Sequence, residues 1–162
     1  MAITYEPIST TTLSSAAATV TFSTISGAYT DLILVAEYTV SGGGDHLVRF
    51  NSDTGSNYSV TVLAGTGSAT GSGRSSSQTS YNPNWNSDQP SQRIIITHQI
   101  QNYSNSTTYK TLLTRLNNAS SQTVASVGLW RSTSAITSID LLRSAGNYNS
   151  GSTFSLYGIK SA

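Results

Sequence analysis

Residues 31–62 read DLILVAEYTVSGGGDHLVRFNSDTGSNYSVTV, and their pattern decides the fold class. Leu32, Leu34, Ala36, Tyr38 and Val40 share one face of an extended segment, because side chains alternate across a strand. The other face carries Ile33, Val35, Glu37 and Thr39, half apolar, as expected of a strand central in its sheet. SGGGD at 41–45 supplies a turn, since glycine reaches positive φ without steric cost. Residues 46–50 return as a strand, and pairing about Gly43 would set Glu37 across the ladder from Arg49. Asn51, Asp53, Gly55 and Asn57 then make a second turn before alternation resumes at Val60 and Val62. Strand follows strand with no helical period.

The rest of the chain repeats this grammar. Residues 3–8 read as an edge strand near Pro7, and 19–23, 93–101, 109–116, 123–130, 136–142 and 153–159 as further strands between Asn- or Gly-rich turns. About eight to ten short strands predict an all-β chain, a single-domain antiparallel β-sandwich of jelly-roll type spanning residues 1–162. A short N-terminal arm covers residues 1–18. Residues 64–92 read as one long Gly/Ser/Asn-rich loop, flexible in its first half and aromatic in its second, Tyr81-Asn-Pro-Asn-Trp85. Trp130 and Tyr157 read as core residues of regular strands.

Composition narrows the functional classes. Charged residues make up 9 % of the 162, against roughly 25 % in ordinary soluble domains, while Ser and Thr supply about a third. Nine Tyr, three Phe and two Trp provide packing material, so the chain is expected to fold despite its polarity. The eight Lys and Arg are scattered and the net charge is +1, which argues against nucleic acid as a partner. With no cysteine there is no disulfide framework and no thiolate metal site. No apolar run is long enough to span a bilayer, and residues 1–10 do not read as a secretory signal, so synthesis in a cytoplasm is expected.

Chemical motifs are sparse. His98 shares a face with Ile94, Ile96 and Ile100, which favours burial or an interface over catalysis; His46, beside the triple glycine, reads as a solvated turn residue. No nucleophile elbow and no acid–base cluster is visible, so an enzyme is not expected. The glycines of GTGSATGSG lack the Gly-Lys-Ser/Thr ending of a phosphate loop. NSDTGSN has a single carboxylate and no closing Glu, so it reads as a structural turn and not a calcium loop. No metal or other cofactor is predicted. Tyr81 and Trp85, set among Asn and Ser in the long loop, suit contact with a neighbouring subunit, a partner protein or a sugar.

YTDLILV (29–35), FNSDTGSNYS (50–59), LWRSTSAITSIDLLRSAGNY (129–148) and GSTFSLYGIKSA (151–162) are similar to blocks in a group of bacteriophage virion proteins, cyanophage ones included. Ser52 stands where that group is expected to carry glycine. The resemblance implies a virion β-sandwich, made in the host cytoplasm, that binds the major capsid protein on the capsid surface as a decoration (cement) protein and associates as a homotrimer. The contact residues expected for that role are Ile3, Tyr5 and Ile8 of the arm, Tyr81 and Trp85 of the long loop, and His98. A tail-fibre or tail-tip module holding a host polysaccharide through its loop aromatics is the alternative. The immediate start of the first strand and the lack of a shaft repeat favour the capsid role.

Overall fold

The computed structural model describes residues 5–90, 92–118 and 120–160. Among these, eleven antiparallel strands are found and no helix: β1 (Tyr5–Thr12), β2 (Thr19–Phe22), β3 (Asp31–Tyr38), β4 (His46–Phe50), β5 (Tyr58–Gly65), β6 (Thr70–Gln78), β7 (Ile94–Gln101), β8 (Lys110–Asn118), β9 (Gln122–Trp130), β10 (Ile139–Arg143) and β11 (Thr153–Ile159). An eight-stranded sheet in the order β1-β11-β3-β7-β8-β9-β5-β6 packs on a three-stranded sheet in the order β2-β10-β4. The expected β-sandwich is present, with one strand more than the upper count.

Alternation builds the core. β3, β7, β8 and β9 each bury every second residue, so Leu34, Ile96, Leu112, Leu116 and Val124 point inward to meet Val20, Phe22, Val48, Phe50, Ile139 and Leu141 of the small sheet. Each such side chain contributes roughly 1.5–3 kcal/mol when fully buried. Trp130 joins this core as expected. Tyr157 does not: it lies on the outer face of β11 and is only half-buried.

The predicted hairpin of β3 with β4 does not form. β3 pairs with β11 and β7 in the large sheet, while β4 pairs with β10 in the small one. Glu37 instead forms an ion pair with Arg93, and the Arg49 Nε donates to the Thr79 carbonyl at 3.1 Å. The glycines of 42–44 serve a crossing between layers, not a two-strand reversal. A Cβ on Gly44 would lie 2.7 Å from the Ala145 carbonyl oxygen, and Gly146, at φ +65°, packs its backbone against Gly42.

The long loop is shorter than its composition predicts. Residues 70–78 form β6, an edge strand paired along β5. Its TGSGRSSSQ sequence buries almost nothing and carries no alternation, so periodicity could not reveal it. Two aromatic side chains cover glycines in this part of the fold. A Cβ on Gly71 would come within 2.5 Å of the Trp85 ring, and one on Gly128 within 2.5 Å of the Tyr81 ring. Backbone bonds Val48–Tyr81 and Gly44–Asp88 lay residues 81–88 along the free edge of β4, extending the small sheet toward β6.

Candidate functional site

Three places in this fold call for explanation, two polar and one apolar. The first is buried. β4 and β7 bring His46 and His98 together between the sheets, with their Nε2 atoms 3.1 Å apart. His98 Nδ1 lies 2.8 Å from Thr114 Oγ1, His46 Nδ1 lies 2.8 Å from the Tyr148 hydroxyl, and that hydroxyl lies 3.1 Å from the Leu142 carbonyl. A carbonyl only accepts, so Tyr148 donates to Leu142 and His46 Nδ1–H donates to Tyr148. Burial keeps each imidazole neutral with a single proton, so His98 Nε2–H donates to His46 and the Thr114 hydroxyl to His98. Burial pushes His98 down to about 3, and burial followed by the charges of His98 and Arg143 holds His46 well below its ordinary range.

Beside this relay sits a fully buried ion pair, Arg143 Nη1 to Asp88 Oδ2 at 2.6 Å. Asp88 also accepts from the Tyr38 hydroxyl at 3.0 Å and Asn84 Nδ2 at 2.8 Å, while Arg143 Nη2 donates to the Gly44 carbonyl at 2.9 Å. Burial raises the Asp88 carboxyl, against the pull of Arg143 and its hydrogen bonds. The expectation of a solvated His46 is thus overturned: closure of residues 81–88 over β4 seals it. No sequence spacing marks this cluster, because its members come from β3, β4, β7, β8, β10 and the segments after β6 and β10.

The second place is the loop at 51–57. Asn51 and Ser52 both hold left-handed φ, +52° and +54°, and Ser52 Oγ donates to Asp140 Oδ2 at 2.9 Å. That conformation is one glycine adopts freely and other residues rarely. Asp53 accepts from Gly55 N at 2.8 Å, Asn57 Nδ2 at 2.9 Å and Trp130 Nε1 at 2.7 Å. Partial burial pulls its carboxyl up, but the bonds from Trp130, Asn57 and the Gly55 amide outweigh this and hold it below the usual carboxylate range. The single carboxylate is spent on the turn and on the core tryptophan. Among the described residues, no group of three or more His, Cys, Asp or Glu is placed to hold a metal ion.

The third place is the outer face of the large sheet. Register aligns Ile33, Gln99, Leu113, Val127 and Thr61 in one row across five strands, and Val35, Thr97, Arg115, Ala125 and Leu63 in the next. Leu63 is 61 % exposed, Leu113 50 % and Val127 53 %, and Arg115 is the one charge in the two rows. A shallow concavity of about 390 Å³ lies among Ile33, Gln99, Leu113 and Ala125. Sheets with one solvated face ordinarily turn polar residues outward. Here the signal was legible in part: VTVLAG, RIIITHQI and KTLLTRL place apolar residues on both faces.

The residues predicted as contacts scatter. Ile3 lies outside the described residues. Tyr5 is exposed on edge strand β1, and Ile8 is partly buried against the core. Tyr81 is 1 % exposed, its hydroxyl 2.8 Å from Ser126 Oγ, and His98 is sealed in the relay, so neither has a surface to offer a partner. Trp85 is 39 % exposed.

No protein-family model matches the chain, and no curated protein does. Among solved structures it is similar to a galectin, LEC-6 of Caenorhabditis elegans, at 8 % identity and a TM-score of 0.40, covering 94 % of this chain and 96 % of that one. It is similar to a sucrose-6-phosphate hydrolase from Lactobacillus gasseri at 12 % identity and a TM-score of 0.38, covering 90 % of this chain but 29 % of the hydrolase. An alginate lyase matches at 11 % identity and a TM-score of 0.38, over 93 % of this chain and 77 % of the lyase. Nothing about binding or chemistry passes to this chain from likenesses at that level.

Proposed function

We propose that this chain is a structural protein of a bacteriophage particle, bound to the outer capsid as a decoration protein that stabilises the head. The observation that carries the proposal is the outer face of the large sheet, with Leu63, Leu113 and Val127 in water and Arg115 as the one charge in its two central rows. Exposed apolar area set in a weakly polar rim matches the anatomy of a protein-binding surface. Its breadth across five strands suits a wide partner such as a capsid shell better than a narrow peptide. Edge strand β1, with Tyr5 exposed on it, is the place for contact between subunits of a trimer.

The role is binding and not catalysis. Both histidines are neutral, hydrogen-bonded and closed to solvent, and the buried carboxylate of Asp88 is committed to Arg143, Tyr38 and Asn84. Co-sedimentation with phage capsid shells that lack the protein tests the reading. The chain is expected to co-pellet and to raise the temperature at which shells rupture, and the double variant Leu113→Asp, Val127→Asp is expected to stay in the supernatant. Free chain alongside intact shells, or equal binding by the double variant, sinks the proposal.

A further inference from the structure

An open sheet edge invites a further strand, and three of the four edges here are blunted. β1 carries Pro7, a register shift between Pro7 and Ser9, and the Glu6–Lys160 ion pair, which leaves it side-chain contacts but no regular ladder. β2 is four residues long, and residues 81–88 cover β4. β6 has none of these devices over residues 70–75, where it pairs with β5 without a break in register.

The ladder on β5 fixes which groups of β6 are free. Arg131 N donates to the Asn57 carbonyl at 2.9 Å on the β9 side of β5, and Thr66 N to the Ala69 carbonyl at 2.9 Å beyond Gly65 and Thr70. Bonds to one neighbour recur at every second residue, so Val60, Val62 and Ala64 bond to Ser75, Gly73 and Gly71. The N–H and C=O groups of Thr70, Ser72 and Arg74 therefore point off the end of the sheet. Among the described residues no backbone group meets them.

We propose that β6 pairs with β6 of a second copy of this chain, antiparallel about a two-fold axis at Ser72. In that register Ser72 faces its own copy and Thr70 faces the partner's Arg74, so every free group along residues 70–74 is bonded. Charge selects it: an axis at Arg74, the one charge of the strand, would set two guanidinium groups against each other. On the inner side the same axis places Gly71 opposite the partner's Gly73. Trp85 stands on both glycines, its ring where a Cβ on Gly71 would come within 2.5 Å, and 39 % of it is exposed. Paired strands lie about 4.8 Å apart, which brings the two indoles side by side at the spacing of an aromatic pair. A seam of two short strands falls below the ~1,200 Å² of stable complexes, so the pairing belongs to the micromolar range.

The chain has no cysteine, so single thiols test the register. Facing residues at the axis have Cα atoms about 5.5 Å apart, within reach of a disulfide. Under mild oxidation of the intact protein, Ser72→Cys is expected to give a covalent dimer at least about tenfold faster than Thr70→Cys. Thr70→Cys mixed with Arg74→Cys is expected to give the mixed dimer. All three sites are exposed, so these variants keep the fold. Dilution from about 100 µM to about 1 µM is expected to shift the tryptophan emission to the red as Trp85 enters water, since Trp130 is buried. Ser72→Lys, which sets two charges against each other on the axis, is expected to abolish that shift. Equal rates for Ser72→Cys and Thr70→Cys, or an emission unchanged on dilution, overturn the proposal. So does Ser72→Cys that stays single in solution and cross-links only to capsid protein on shells. The solution measurements use no capsid, so they succeed or fail apart from capsid binding.

Discussion

His46 and His98 face each other through their Nε2 atoms at 3.1 Å, in a layer with no access to water. His98 donates and His46 accepts, so a proton added at His46 Nε2 breaks the bond between them, and one added at His98 Nδ1 displaces the hydrogen bond from Thr114.

Acid lability follows. Both histidines titrate lower in the native state than in the unfolded one, so below about pH 6.5 the unfolded chain binds protons that the native chain refuses. Stability therefore rises with pH through this window and falls as pH drops. The slope is about 1.4 kcal/mol per pH unit for each histidine. Asp88 has the opposite sign, because burial raises its carboxyl, but it is one group against two. Urea denaturation is expected to show a loss of about 3 to 4 kcal/mol between pH 7 and pH 5, with the slope roughly halved in His98→Gln. A flat profile counts against the neutral pair.

The glycines beneath aromatic rings are not interchangeable with those in the open. Gly128→Ala would drive a methyl into the Tyr81 ring, and overpacking of that kind costs about 1–3 kcal/mol. Gly65→Ala meets nothing within 4 Å and is expected to be neutral or to stabilise by about 0.5 kcal/mol. Thermal unfolding of the two variants side by side separates them.

Removing Arg143 leaves Asp88 buried without its cation. Arg143→Met is expected to cost about 3–5 kcal/mol, whereas Arg143→Met combined with Asp88→Leu recovers most of that loss. A double variant no better than the single one would show that Arg143 works through its bonds to the backbone at Gly44 and not through the pair.

Asp53 ties the loop at 51–57 to the core through Trp130. Asp53→Ala is expected to cost about 2 kcal/mol, the scale of hydrogen bonds to a charged group, and to shift the Trp130 emission as its indole N–H loses its partner. Chemical denaturation followed by fluorescence reads both at once.

Local pattern made β3, β7, β8 and β9 legible, because each buries one face and alternation is written residue by residue. β6 was hidden: TGSGRSSSQ is extended only because β5 offers it a ladder and Trp85 covers its glycines. The Glu37–Arg49 pairing failed for a related reason. Three glycines permit a hairpin and a crossing between layers equally, and the choice belongs to β11 and β7, far away in sequence. Trp85 was singled out from its polar neighbours, and exposure kept it a candidate. Tyr81, four residues earlier in the same kind of sequence, turned inward because Gly128 leaves room for its ring. In the relay of His46, His98 and Tyr148 only the burial of His98 was legible, from its isoleucine face; the meeting of the three side chains comes from proximity across two sheets.

In the order of the sheets, β11 lies between β1 and β3, and β10 between β2 and β4. Both layers thus keep an empty slot among their earliest strands until β10 and β11, residues 139–159, have arrived. Until then β1 and β2 have no partner, and the apolar side of β3 is covered on one flank only. Folding of this chain is consequently a late, all-at-once event governed by distant pairings, slow by the standard of hairpin-built proteins.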